Sequence, residues 1–238
     1  MRATRLCVAP CRSGSTAFFA SMTQHPRIEG AYHVIKRGLR QNGAPDYSFF
    51  DSVPENPRNI LVGKESIGHS TLTECSLRVF QDDDEIRKVA PLFLFRDPVH
   101  TWNSWQKKNW GELALFELAY RHAIRMMRHC RTVCDDTVVV SYEKVVASPE
   151  SQFTAICGKL GIPFDTAMVN WKSMPGESQA GWGEGFKSRL GKGSDHESLG
   201  QSVCFCEKPV SLIIPERDVT EINALFRRQY DEICALAV

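Results

Sequence analysis

RLCVAPCRSGSTAFFASM, residues 5–22, sets how the rest of the chain is read. Residues 5–9 read as a buried strand and 15–24 as the helix that follows it. Between them, Arg12, Ser13, Gly14, Ser15 and Thr16 crowd one strand-to-helix corner. The first amides of a helix have no intrahelical partner, and the helix dipole favours an anion beside them. Gly14 lets the backbone approach a ligand closely, the three hydroxyls add donors, and Arg12 adds a permanent charge on a planar fork. The corner is therefore expected to grip a phosphate. A capped helix beside a surface arginine is the plainer alternative. The Gly-x4-Gly-Lys-Ser/Thr pattern is absent, which disfavours a nucleotide triphosphatase.

Working outward, strands and helices alternate. NILVGKE (59–65) and APLFLFRDP (90–98) read as strands, the latter so apolar that it belongs inside a parallel sheet. DTVVVSYE (136–143) is a further strand. Helices are expected after Pro98, over about 111–131, over SPESQFTAICGKLGI (148–162) with Ser148 as N-cap, and over about 217–236. The acidic run QDDDEIRK (81–88) reads as a solvated helix end. Residues 27–58, rich in Gly, Pro and Asn, are expected to be a substrate-side loop region with one short helix, and 172–200 a second such loop. The pattern is that of a single α/β domain spanning 1–238 and built on a parallel sheet.

Composition narrows the function. With 238 residues, 24% of them charged and a net charge of +1, no global field suggests nucleic acid or an anionic membrane. No apolar stretch is long enough for a membrane span, and no secretory segment precedes the first strand. The nine cysteines are odd in number and scattered, so free thiols in a reducing cytoplasm are expected. Cys204/Cys206 and Cys130/Cys134 lack the spacing of a zinc site, and no metal is expected.

A second anion corner is expected where the strand of residues 90–98 ends, in LFLFRDPVHTWNSW (92–105). Arg96 would stand at the carboxyl end of a buried strand, where open α/β sheets bind ligands. Ser104 follows eight residues later, on the next helix. The alternative is an Arg96 paired with Asp97 or another acid and a Ser104 that is simply a helix residue.

Taken together, PCRSGSTA (10–17), Arg96 through Ser104, and VVVSYEKVVASPESQFTAICGKLGIPFD (138–165) resemble the sulfotransferases that use 3′-phosphoadenosine-5′-phosphosulfate (PAPS). The resemblance is to the small-molecule, microbial and fungal branches, and it implies a P-loop-like fold of three layers with a parallel sheet between helices. It implies that Arg12, Ser13, Gly14, Ser15 and Thr16 hold the 5′-phosphosulfate, that Arg96 and Ser104 hold the 3′-phosphate, and that Tyr142 contacts the adenine. Lys192 and Gly193 in RLGKG weakly echo a further 3′-phosphate element. Cys11 departs from the family's loop, where Pro usually precedes the basic residue directly. The implied reaction moves a sulfuryl group from PAPS to a hydroxyl or amine of a small-molecule acceptor, leaving 3′,5′-adenosine bisphosphate (PAP), without a metal.

In such enzymes a catalytic side chain comes from the segment that reads ILVGKESIGHS here (60–70). Lys64 is then expected at the donor's bridging oxygen, and His69 is the favoured general base with Glu65 second. Phe18, Phe19, Trp102, Trp105, Trp110 and Trp182 are candidates for lining an acceptor pocket. The oligomeric state stays open, a homodimer being one option. Two other readings stand beside this one: a kinase or hydrolase of the P-loop type, and a PAP-binding protein without transfer activity.

Overall fold

The computed structural model describes residues 3–171 and 210–238. Lys192, Gly193, Trp182, Cys204, Cys206 and the loop expected over 172–200 lie outside the described residues.

The described chain runs β1 (Thr4–Pro10), α1 (Ser15–Met22), β2 (Ile28–Tyr32), α2 (Lys36–Asn42), β3 (Ile60–Ile67), α3 (Leu72–Cys75), α4 (Asp83–Val89), β4 (Leu92–Phe95), α5 (Pro98–Gln106), α6 (Leu113–Val133), β5 (Val138–Ser141), α7 (Tyr142–Ala147), α8 (Pro149–Leu160) and, after the segment not described, α9 (Glu216–Leu236). The five strands form one sheet in the order β2-β3-β1-β4-β5, with every neighbouring pair parallel. This is the expected α/β architecture, with helices on both faces of the sheet.

Alternation along the strands builds both faces. On β1, Leu6 and Val8 point to one side, where they join Phe93, Phe95 and Val139 beneath α6 and α9. Cys7 and Ala9 point to the other, where they join Leu92, Leu94, Val138 and Val140 beneath α1 and α8. The helices earn their places by periodicity. Phe116, Tyr120, Ala123, Met127 and Cys130 bury one stripe of α6, and Ile222, Phe226, Tyr230 and Ile233 bury one of α9. Asp82 caps α4 by accepting from the backbone N–H of Asp84 and Glu85, so the acidic run holds a helix terminus, the N-terminal one. Ser148 stands at the N-cap of α8 without a side-chain capping bond, and Gly161 ends that helix in the left-handed region at φ 71°.

Two expectations need correction. Residues 27–58 are not only loop: β2 is an edge strand, pairing from Ile28 with Ile60 to Tyr32 with Lys64. It is short and has a single neighbour, so its alternation (Ile28, Gly30 and Tyr32 inward) is easily lost among flanking Pro and Gly. The single short helix expected there is α2, followed by a 3₁₀ turn at Ser48–Asp51. Tyr142, expected at the end of a strand, instead opens α7, because Ser141 takes the N-cap and accepts from Lys144 N–H.

The strand order positions the site. The chain leaves β1 to build β2 and β3 on one side, then crosses to place β4 on the other. The carboxyl ends of β1, β3 and β4 therefore surround the crevice where such sheets bind ligands.

The α6/α9 contact should dominate stability on its face of the sheet. Phe226 is fully buried, with its ring 4.9 Å from that of Tyr120 and 6.0 Å from that of Phe116. Phe226→Ala should cost about 3–5 kcal/mol, read as a lower urea midpoint with an unchanged slope. A loss below about 1 kcal/mol would mean that α9 docks without this contact.

Candidate active site at the carboxyl edge of the sheet

The corner after β1 is shaped by its own backbone. Ser13 N–H and Oγ–H both donate to Pro10 O, the hydroxyl at 2.7 Å, so Ser13 closes the turn and its side chain is spent there. Cys11 is clamped from two sides: its N–H donates to Ile67 O at 2.7 Å, and Trp105 Nε1 donates to its carbonyl at 2.9 Å. The cysteine is thus built into the packing under the loop. Arg12 takes φ 70° and Gly14 φ 82°, a left-handed pair that turns the chain into α1. A Cβ on Gly14 would collide with the ring of Tyr142, so the glycine serves packing as well as turning. Gly14, at the N-cap, has no side chain with which to cap the start of α1.

Arg12 and Ser104 meet: Arg12 Nε donates to Ser104 Oγ at 3.1 Å. The two corners that the sequence sets far apart form one site. Arg96 stands at the end of β4, its guanidinium 4.8 Å from the centre of the Tyr142 ring, and its Nε is buried without a hydrogen-bond partner among the described residues. Asp97 is not its counter-ion. That carboxylate caps α5 through Val99 N–H at 2.8 Å and accepts from Arg227 Nη2 at 3.0 Å. Arg96, Ser104 and Tyr142 line a cavity of about 480 Å³, together with His100, Asn103, Lys107 and Glu143 among others. The chain returns beside this cavity at Val210. Asn103 fixes it there, donating to Ser211 O at 2.9 Å and accepting from Ile213 N–H at 2.8 Å.

The end of β3 splits its polar residues between the faces. Lys64 and Ser66 share the α1 side, with Nζ donating to Ser66 Oγ at 3.3 Å and lying 3.5 Å from Tyr32 Oη. Tyr32 Oη is in turn 3.1 Å from Thr16 Oγ1, so Lys64 and the Arg12 corner are joined through one tyrosine. Glu65 points the other way and is fully buried. It accepts from Ser66 N–H and Lys36 N–H, each at 2.7 Å, from Ile35 N–H at 2.9 Å, and faces His33 Nδ1 at 3.1 Å. Burial pushes its carboxyl up, but the His33 contact, the Lys36 charge and the backbone donors outweigh this and hold it at about 2. A carboxylate so enclosed is a poor proton acceptor.

His69 leaves the strand end, with Nδ1 3.2 Å from Glu74 and 2.8 Å from Ser70 Oγ, and its ring 4.2 Å from that of Trp110. The Arg12 guanidinium lies 5.5 Å from the same indole. Glu74 also accepts from Arg40, and Lys36 Nζ is 3.9 Å away while donating to Gly68 O at 2.9 Å. Of the described aromatic side chains expected to line a pocket, Phe18, Phe19, Trp102 and Trp105 are core, and Trp110 stands at the site beside Arg12 and His69. The sequence alone does not single out Tyr32, Lys36 or Glu74, and it places His33 in the exit loop of the first helix. Tyr32 ends β2 and His33 follows it, a signal hidden where residues 27–58 read as loop.

The Glu65 cluster makes the protein acid-sensitive. A carboxyl whose folded pKa is depressed adds stability that is complete above its unfolded value and fades as pH falls through the folded one. For Glu65 that window runs from about 4.5 down to about 2, and is worth on the order of 3 kcal/mol. Glu65→Gln should lower stability most at pH 6–7, and the gap to wild type should close by most of that amount near pH 2, measured by urea midpoints. A gap that does not change with pH would mean that the carboxyl is not held ionised.

Residues 70–166 match the family model described as the sulfotransferase family. That segment contains Arg96, Ser104 and Tyr142, while the Arg12 corner precedes it. No curated protein matches the chain in sequence. Among solved structures, the chain is similar to the sulfotransferase domain of the Synechococcus PCC 7002 olefin synthase, at 18% identity and TM-score 0.55 over 94% of both chains. It is similar to a sulfotransferase from Alicyclobacillus acidocaldarius, at 12% identity and TM-score 0.56 over 99% of this chain and 96% of that one. It is also similar to the mouse sulfotransferase SULT7A1 complexed with PAP, at 12% identity and TM-score 0.53 over 98% of this chain and 86% of that one. Residues 70–166 thus match the model of the sulfotransferase family, and the fold of the chain is similar to that of solved sulfotransferases.

Proposed function

We propose that this protein transfers a sulfuryl group from PAPS to a hydroxyl or amine of a small-molecule acceptor. The observation that carries the reading is the meeting of the two corners. Arg12 bonds to Ser104, and beside them Arg96 keeps a buried Nε that has no hydrogen-bond partner among the described residues, at a cavity of about 480 Å³. A buried guanidinium N–H without a partner costs stability, and an anionic ligand at that place would satisfy it. Two cationic corners at adjacent strand ends suit a donor with two separated phosphate groups. The PAP held by the similar mouse enzyme supports the same choice.

Each residue has a task in this scheme. Arg96 and Ser104 hold the 3′-phosphate, with Tyr142 beside them for the adenine. The backbone N–H groups at the start of α1, with Ser15 and Thr16, receive the 5′-phosphate. Ser13 is left to shape the turn. Arg12 answers the charge that grows on the leaving phosphate, which matters more in the transition state than in the ground state. Lys64, joined to Thr16 through Tyr32, reaches toward the bridging oxygen. Sulfuryl transfer resembles phosphoryl transfer in needing in-line placement and charge stabilisation above all. Of the two candidates in the β3 segment for taking the acceptor's proton, Glu65 is enclosed and His69 has 30% of its side chain exposed.

Calorimetry tests the donor. PAP should bind without divalent metal and tighter than AMP, because Arg96 and Ser104 read the extra phosphate. Arg96→Ala should weaken PAP by about 1.5–3 kcal/mol, roughly tenfold to a hundredfold, and leave AMP nearly unchanged. Equal affinities for PAP and AMP in the wild type would remove Arg96 from the donor site. Binding of ATP that depends on Mg²⁺, with none of PAP, would favour the kinase-like alternative.

A further inference from the structure

We infer that His33, held by Glu65, is the side chain that takes the proton from the acceptor, in place of either candidate in the β3 segment. The inference rests on the sulfuryl-transfer reading above. It starts from placement. His33 immediately follows β2, and β2 runs parallel to β3, so the imidazole stands at the same carboxyl edge as Lys64. Its backbone N–H donates to Lys64 O at 2.8 Å, which fixes it across from that lysine. Its ring packs edge-on to Tyr32 at 4.3 Å between centres. The Tyr32 hydroxyl lies 3.1 Å from Thr16 Oγ1 and 3.5 Å from Lys64 Nζ. One tyrosine thus separates the imidazole from the two side chains assigned to the end of the donor that carries the transferred group.

The backbone at His33 carries its own sign of constraint. A φ of 52° is left-handed, costly for a residue with a Cβ, and sustained here by the surrounding hydrogen bonds. The conformation sets the ring against Glu65, whose remaining donors are backbone N–H groups of Ile35, Lys36 and Ser66. An ionised carboxylate at Nδ1 requires that nitrogen to carry the proton. Nε2 is then the acceptor nitrogen of the neutral ring, the arrangement by which a carboxylate prepares an imidazole as a base.

The charges around His33 agree with that role. Burial lowers its pKa well below the usual 6.5, and Lys64 lowers it further. Glu65 opposes both, and Lys36 on α2 adds to the lowering. The imidazole is therefore neutral at neutral pH. During transfer the acceptor O–H or N–H bond breaks and its proton passes to Nε2. The acceptor's electron pair forms the new bond to sulfur, and the bond from sulfur to the bridging oxygen gives its pair to PAP. The imidazolium so formed faces Glu65 and later returns its proton to water. His69, its ring tilted against that of Trp110 and its Nδ1 beside Glu74, supports the Arg12 side of the site.

The test uses the full chain with PAPS alone, water serving as the acceptor, and follows PAP release against pH. Wild type should show a rate that rises through one ionisation below pH 6.5 and then levels. His33→Gln should lose about a hundredfold or more in rate and lose that limb, while PAP affinity stays within about twofold. Glu65→Gln removes the anion that favours the imidazolium, so its limb should move to lower pH with a reduced rate. His69→Gln should keep the limb in place, whatever its rate. ¹⁵N spectra of the wild-type imidazoles give a second reading that needs no variant to fold: His33 should be neutral at pH 7 with its proton on Nδ1. A limb that survives His33→Gln and vanishes in His69→Gln would overturn the assignment, as would a His33 protonated on Nε2. A wild type that binds PAP but releases none from PAPS would instead overturn the sulfuryl-transfer reading itself.

Discussion

The hydrogen bond from Arg12 Nε to Ser104 Oγ, 3.1 Å long, joins two segments 92 residues apart in the chain. It exists because β1 lies between β3 and β4 with both neighbours parallel, so that the loops after all three strands open at one edge. The remaining features of that edge follow from keeping these loops in place. Trp105, one residue beyond Ser104, donates to the carbonyl of Cys11, one residue before Arg12. Gly68, after β3, has φ 99° and no room for a Cβ against the Trp105 ring. The tryptophan expected at a pocket is instead the post on which two loops are fastened. Cys11, which departs from the usual loop of the family, is buried and contributes its backbone to that fastening.

Around this post the molecule keeps an unusual number of buried charges. Lys36, Lys64 and Glu65 are almost wholly enclosed, and Glu74 is nearly so. Isolated charges so buried would be costly, and each has partners that offset the cost: backbone donors for Glu65, Arg40 and Lys36 for Glu74, Gly68 O for Lys36, and the Tyr32 ring for Lys64. Charge held in fixed geometry away from water is also what stabilises a transition state with little reorganisation.

Much of this was legible in the sequence. The apolar run around Phe93 named an interior strand, and the period of α6 from Phe116 to Cys130 named its buried face. The Arg12 corner and the Arg96 to Ser104 spacing named the two corners that the fold brings together, because a glycine, hydroxyls and an arginine at a strand-to-helix turn are a local pattern. What was not legible depends on partners far along the chain. Glu65 looks like a free acid in KES, and only the fold surrounds it with the amides of Ile35 and Lys36. His33 looks like a loop residue until β2 exists, and β2 exists only because β3 lies beside it. Ser13 looks like a ligand hydroxyl, but the tight turn directs its proton to Pro10 O.

The central claim is that the two corners hold the two phosphates of one donor. A crystal structure of the protein with PAP tests it most directly. The account predicts the 3′-phosphate against Arg96 and Ser104, with Arg96 Nε at last hydrogen-bonded, and the 5′-phosphate on the backbone of residues 14–16 with Arg12 turned toward it. A PAP molecule bound elsewhere, or one whose phosphates leave Arg96 without a partner, would contradict it.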